Sequence, residues 1–169
     1  YFESERRCKD RCTFCGFPIA VYMDSPTAPP FTCLECRQWG FQFSATHYLG
    51  GYKGRLKELV LKAKMKSGSP VGFALGQAIG VRLPTRMPDV VIPVPMHWRR
   101  KVMRQQTTAE VIALGIRSQI ASPVTLETQS IRASRVTQKQ GMLSPEKRRE
   151  NVRDAFHATN SQVISGRRV

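Results

Sequence analysis

Residues 88–126 read PDVVIPVPMHWRRKVMRQQTTAEVIALGIRSQIASPVTL, and three elements follow from them. Asp89-Val90-Val91-Ile92 is a short β-branched apolar run bounded by Pro88 and Pro93, which predicts a buried, central strand of a parallel sheet. The segment Thr107 to Ile120 places Ala109, Ile112, Ala113, Ile116 and Ile120 on one helical face. Thr107-x-x-Glu110 supplies a capping box at its start. Val124-Thr125-Leu126 then predicts a second strand, completing a strand-helix-strand unit of an α/β fold.

In open α/β sheets ligands bind beyond the carboxyl ends of the strands. The segment Pro93-Val94-Pro95 to Lys101 occupies such a position, and Arg99, Arg100, Lys101 and Arg104 precede the capped helix. Guanidinium groups and first-turn amides together suit a phosphate or pyrophosphate. A generic basic surface would carry the same charge. His97 titrates in the range useful for proton transfer, but no spacing pairs it with a carboxylate or nucleophile, so it reads as a loop residue. Trp98 and Trp39 read as packing residues, although Trp98 could stack on a base or ribose.

Before this unit, Leu56, Leu59, Val60 and Ala63 at i, i+3, i+4 and i+7 predict an amphipathic helix within residues 48–66, its lysines on the solvated face. A second helix is expected from Val71 to Leu83, weakened by Gly72, Gly76 and Gly80 and ended by Pro84. Those glycines have helical packing spacing, and no Walker loop, G-x-G-x-x-G or Ser-His-Asp arrangement occurs. After the unit, residues 131–150 are basic with little apolar periodicity and read as a long mobile connection. Within it, Ser144-Pro145 opens a short helix.

All five cysteines, Cys8, Cys12, Cys15, Cys33 and Cys36, lie in the first 36 residues. Cys12-x-x-Cys15 and Cys33-x-x-Cys36, separated by 17 residues, have the spacing of a four-thiolate structural zinc site. Disulfides or free thiols are the alternatives, and an odd count leaves one cysteine over. Cys8 reads as unpaired, with ligand substitution as its other possibility. A turn-rich excursion from Asp24 to Pro30 separates the pairs. Residues 1–45 are therefore expected to form a zinc ribbon that folds because the metal binds, and residues 46–169 the α/β domain.

Composition sets the outer bounds. The 169 residues, 41% hydrophobic and 8% aromatic, suffice for one compact domain with a small appendage and exclude a disordered chain. With 27 Lys and Arg against 12 Asp and Glu, the net charge of +15 favours phosphate-bearing partners. No apolar run reaches a membrane span and no secretory signal is seen, so a soluble cytoplasmic protein is expected. The chain opens on Tyr1 and closes on Gly166-Arg167-Arg168-Val169, which reads as a strand beginning, and so resembles a piece of a longer protein.

Several motifs occur together: the double C-x-x-C; Tyr52-x-Gly54-x-Leu56 leading to Lys64; Pro93-Val94-Pro95 with Arg100 and Arg104; and Thr137-x-x-Gln140-x-x-Leu143-Ser144-x-x-x-Arg148-x-x-Asn151-Val152-x-x-Ala155-Phe156. In combination they resemble the ComF family of competence-related, phosphoribosyltransferase-like proteins, across nearly the whole chain. The resemblance implies a zinc ribbon followed by a type I phosphoribosyltransferase-like parallel sheet, with roles in DNA uptake or DNA metabolism. Pyrophosphate would bind at Pro93, Val94, Pro95, Arg99, Arg100 and Arg104. A flexible loop over roughly residues 131–149, with Arg135, Gln140, Ser144 and Arg148, would close over phosphoribosyl pyrophosphate carrying Mg²⁺ and exclude water from an oxocarbenium-like centre.

The sequence departs from the family pattern in two places. Gln105, Gln106, Thr107 and Thr108 stand where the family typically has Gly-Phe-Asn-Gln. The paired-Asp and Thr/Gly-rich phosphate loop would begin after Val169, so the sheet is expected to be incomplete at its C-terminus, these residues alone to lack transferase activity, and phosphoribosyl pyrophosphate with Mg²⁺ to be bound only by the full-length protein. Phosphoribosyl transfer, with an unidentified acceptor, is one expectation. Zinc-dependent single-stranded DNA binding, with Trp39, Phe41 and Phe43 stacking bases unless they form a small core under the ribbon, is another. A third is a scaffold that meets a competence helicase or uptake-channel protein.

Overall fold

A computed structural model of the chain describes residues 12, 14–17, 33–39, 43–83, 88–98 and 106–169. Cys8, the excursion at residues 24–30, Phe41, Pro84, Arg99, Arg100, Lys101, Arg104 and the side chain of Trp39 lie outside them. The chain divides into two compact units, Tyr1–Tyr52 and Lys53–Val169.

In the first unit the Cys12–Phe17 turn is closed by two backbone hydrogen bonds, Cys12 N to Phe17 O at 2.8 Å and Gly16 N to Cys12 O at 2.9 Å. Gly16 has φ +73°, and a Cβ there would come within 2.6 Å of Cε1 in the Tyr48 ring. Both the left-handed backbone and the covering ring therefore require glycine. Helix α1, Leu34–Trp39, starts directly after Cys33. The rings of Phe14 and Phe43 pack with centroids 5.0 Å apart.

The second unit begins with α2, Gly54–Ala63, and α3, Ser69–Gly80. Ala63 is buried while Lys57 and Lys62 are exposed, as the amphipathic pattern predicts. Strand β1, Val90–Val91, leads through the 92–98 segment towards α4, Thr108–Arg117, and on to β2, Thr125–Leu126. β1 and β2 pair in parallel, Val90 opposite Thr125 and Val91 opposite Leu126. On the other side of β1, Asp89 N and Val90 N both donate to Arg168 O, at 2.9 and 3.1 Å. Flanked on both sides, Val90 is completely buried. Residues 166–169 form no strand of their own; Gly166, at φ +68°, turns Arg168 onto β1.

Two features of α4 stand out. Its capping box is complete: Glu110 N donates to Thr107 Oγ1 at 3.2 Å and Thr107 N donates to Glu110 Oε2 at 2.8 Å. The predicted face is only partly the buried one. Ala113 and Ile120 are buried as expected, but so are Val111 and Gly115, whereas Ala109, Ile112 and Ile116 are half-buried. The cause is backbone-to-backbone packing. A Cβ on Gly76 would collide with Ile112 O, and one on Gly115 with Phe73 O. The glycines that weaken α3 as an isolated helix thus let it lie directly against α4.

Beyond β2, the structure corrects the expectation of an unstructured basic connection. β3, Ile131–Ala133, pairs antiparallel with β4, Phe156–Ala158, in the register Ile131–Ala158, Arg132–His157, Ala133–Phe156. A 3₁₀ turn at Gln140–Met142 and helix α5, Pro145–Val152, lie between them. Strands of only three residues, with a 3₁₀ turn and a helix between them, are too short and too far apart in the sequence for their apolar-polar alternation to stand out. The architecture is therefore a mixed α/β fold with one small parallel and one small antiparallel sheet, plus a four-cysteine cluster. Among the described residues no helix is long and apolar enough to cross a membrane.

Candidate functional site

The sulfurs of Cys12, Cys15, Cys33 and Cys36 all lie within 4.8 Å of one another. Cys12 Sγ is 3.8 Å from Cys36 Sγ, and Cys15 Sγ is 3.7 Å from Cys33 Sγ. These separations are too long for disulfides, and they match the edge of about 3.8 Å that a tetrahedron with Zn–S bonds of about 2.3 Å requires. All four described cysteines are unbridged.

Electrostatics distinguishes Cys12 from Cys15 and Cys36. Burial opposes ionisation of Cys12, but amides of Cys15, Cys33 and Phe14 outweigh it and bring this thiol down to about 6. One of them, Cys33 N, donates to Cys12 Sγ at 3.3 Å. Burial pushes Cys36 up strongly, and its three neighbouring sulfurs add to the effect. Burial also raises Cys15. A divalent cation offsets the mutual repulsion of four such thiolates. The donor set and its spacing therefore fit a structural zinc ion with no open coordination position. Phe43 pairs with the ring of Phe14 and remains 41% exposed.

The second unit holds a cleft of about 380 Å³ at the carboxyl end of β1. One side is built by Val94, Pro95, Met96 and His97 together with Thr107, Thr108 and Ala109 at the start of α4. Lys64, just past α2, contributes a cation, and Thr108 Oγ1 donates to Ala63 O at 3.3 Å, tying this end of α2 to the first turn of α4. The capping box engages the amides of Thr107 and Glu110, leaving those of Thr108 and Ala109 as first-turn donors. The other side comes from the hairpin: Ala133, Arg135, Thr137 and Phe156. No carboxylate lines the cleft among the described residues.

The residues expected at this site are distributed unevenly. Val94, Pro95 and Arg135 line the cleft; Pro93 is buried and does not. Gln140, Ser144 and Arg148 brace the segment between β3 and β4. Arg148 Nε donates to Gln140 O at 2.8 Å and Leu143 O at 2.9 Å, and Gln140 Nε2 donates to Arg148 O at 3.3 Å. Ser144 Oγ caps α5 by accepting from Lys147 N at 3.4 Å. Arg135 Nη2 donates to Arg153 O at 2.8 Å, which ties the cleft wall to the end of α5.

One expectation about a single residue changes, and it concerns the neighbour of His97. His97 is a loop residue, as expected, and lines the cleft, its ring 5.7 Å from that of Trp98 between centroids. Trp98 is 62% exposed and so is not packed into the domain as expected. Lys64, Thr137 and Phe156 had no assigned role at the level of sequence, although each belongs to a motif there. The places of Thr137 and Phe156 depend on the β3–β4 pairing, which periodicity did not show, and that of Lys64 on the contact between the end of α2 and the first turn of α4. No family model, curated protein or solved structure matches this chain.

Proposed function

We propose that this chain is a zinc-stabilised, phosphoribosyltransferase-like protein of the ComF type, whose cleft takes a phosphorylated ribose such as phosphoribosyl pyrophosphate. The observation that carries this reading is the cleft at the carboxyl end of a parallel strand. There the first turn of α4 meets Lys64, His97 and Arg135, with no acid among the described lining residues. Helix dipole, first-turn amides and side-chain cations all act on a ligand anion with the same sign. The motif resemblance supplies the ribose, and with it a role in DNA uptake or DNA metabolism in the cytoplasm. Mg²⁺ would enter on the diphosphate oxygens, since the described walls offer it no carboxylate.

Isothermal titration with phosphoribosyl pyrophosphate and Mg²⁺ tests the reading. One site per chain is expected, weakened about tenfold or more by Lys64→Ala, the usual scale for losing a charged hydrogen-bond partner. If phosphoribosyl pyrophosphate does not bind while single-stranded DNA binds with a steep salt dependence, the protein is a nucleic-acid-binding module instead. The net charge of +15 is the feature that supports that second reading. Docking to a competence helicase or uptake-channel protein belongs with it.

A further inference from the structure

The four clustered cysteines divide by contact with solvent in a way that cuts across their sequence pairs. Cys12 and Cys36 are 2% and 8% exposed, whereas Cys15 and Cys33 are half-buried. Each C-x-x-C turn therefore contributes one covered sulfur and one that solvent reaches. The covered sulfurs are 3.8 Å apart and the accessible ones 3.7 Å apart. These contacts are opposite edges of the tetrahedron, and each joins the first turn to the second.

The covered edge is also the anchored one. Cys12 Sγ accepts from Cys33 N at 3.3 Å, and the Cys12 backbone N and O close the Cys12–Phe17 turn. An oxidant that arrives from solvent meets Cys15 or Cys33 first. Oxidation of cysteine follows thiolate character and exposure, and sulfurs that hold a metal are already deprotonated. A sulfenic acid formed on either accessible sulfur has the other 3.7 Å away to resolve it. A disulfide places its sulfurs about 2.05 Å apart, so the two have to close by about 1.7 Å.

We propose that the Cys15–Cys33 edge is a peroxide-responsive modification site, whose oxidation to a disulfide releases the metal and joins the two turns by a covalent bond in its place. One thiolate attacks a peroxide oxygen; an S–O bond forms, the O–O bond breaks and hydroxide leaves. The second thiolate attacks that sulfur; the S–S bond forms, the S–O bond breaks and a second hydroxide leaves. The two sulfurs together lose two electrons, and one peroxide gains them. Cys12 and Cys36 are then too few to hold a structural zinc ion, whose sites take four ligands. A dithiol reductant breaks the bond by exchange and restores the four-sulfur set. The switch rests on the zinc-stabilised reading of the chain and gives the accessible edge of that site a chemistry of its own.

The test is treatment of the zinc-loaded full chain with one equivalent of hydrogen peroxide, followed by native mass spectrometry and disulfide mapping. No Lys or Arg lies between Cys12 and Cys36, so trypsin keeps all four cysteines in one peptide. Chymotrypsin, which cuts after Phe14 and Leu34, separates the members of each C-x-x-C. The expected product has lost its zinc and carries a Cys15–Cys33 bond, with Cys12 and Cys36 still open to alkylation. Dithiothreitol and added zinc should return both the starting mass and the metal. A first-formed disulfide within one C-x-x-C, or one that includes Cys8, overturns the assignment, as does zinc loss with no disulfide. Retention of zinc on four reduced sulfurs under excess peroxide overturns the switch and leaves the zinc reading standing. A chain that holds no zinc before treatment overturns that reading and the switch with it.

Discussion

Asp89 shows how one side chain can fix a chain crossing. Its Oδ1 accepts from Arg168 Nη2 at 2.9 Å, and its Oδ2 accepts from the Arg168 backbone N at 2.9 Å and from Nε at 3.2 Å. The Arg168 side chain, then its amide, hold the Asp89 carboxyl at about 2, below its ordinary 3.8. A depressed acid stabilises the fold where it is ionised. Its contribution is complete above the ordinary value and disappears as pH falls from about 4 towards 2. Asp89→Asn is expected to lower the thermal midpoint at neutral pH, by the small amount typical of a pair both of whose side chains are more than a third exposed. Melting curves of wild type and variant should converge as pH drops through that window; a gap that persists undiminished at pH 2 would rule out the ion pair as its origin.

At the level of elements, the β1–α4–β2 unit was legible because each signal in it is local and strong. Two prolines bracket the strand, a capping box opens the helix, and β-branched residues mark the partner strand. The buried face of α4 was legible only in part: Ala113 and Ile120 were, but Val111 and Gly115 were not, because they are set by Gly72 against Val111 and Gly76 against Gly115, contacts between elements that neither helix announces. The four metal-spaced cysteines were readable from spacing alone, and three side-chain roles in the cleft were not. The segment between β3 and β4 illustrates why. It lacks a buried apolar face, and its order comes from side-chain-to-backbone bonds: Asn151 Oδ1 accepts from Gln138 N at 2.9 Å and Asn151 Nδ2 donates to Gln138 O at 3.1 Å, beside the Arg148 braces. Polar bracing of this kind has no hydrophobic period to detect. Arg148→Ala removes two carbonyl contacts from an exposed site, a loss of about 1 kcal/mol, so amides in residues 138–152 should exchange with solvent roughly fivefold faster. Exchange in α3 and α4 should stay as it was. Unchanged exchange in 138–152 would show that the braces do not order the segment.

On the scale of the whole molecule, the two units draw stability from different sources. Among the described residues of the first unit only Cys12 and Cys36 are buried, and both are metal-site cysteines. The second unit has an apolar core of its own that includes Leu75, Val90, Val111, Ala113, Val124 and Ala155. Structural zinc sites of this donor type contribute apparent binding energies of about 10–16 kcal/mol, more than so small an apolar core could supply. Removing the metal should therefore be selective. Native mass spectrometry is expected to show one zinc per chain, lost to a strong chelator. Two-dimensional amide spectra should then collapse to unfolded positions for residues up to about Tyr52, the limit of the first unit, while signals from Lys53 onwards keep their dispersion. Cys12→Ser should reproduce the chelated spectrum without chelator, because it removes the sulfur on which the Cys33 amide converges. Loss of dispersion in both units would mean that the second depends on the first for its fold. Retention in both would mean that the four sulfurs hold the ribbon without a metal, against the repulsion that their burial imposes.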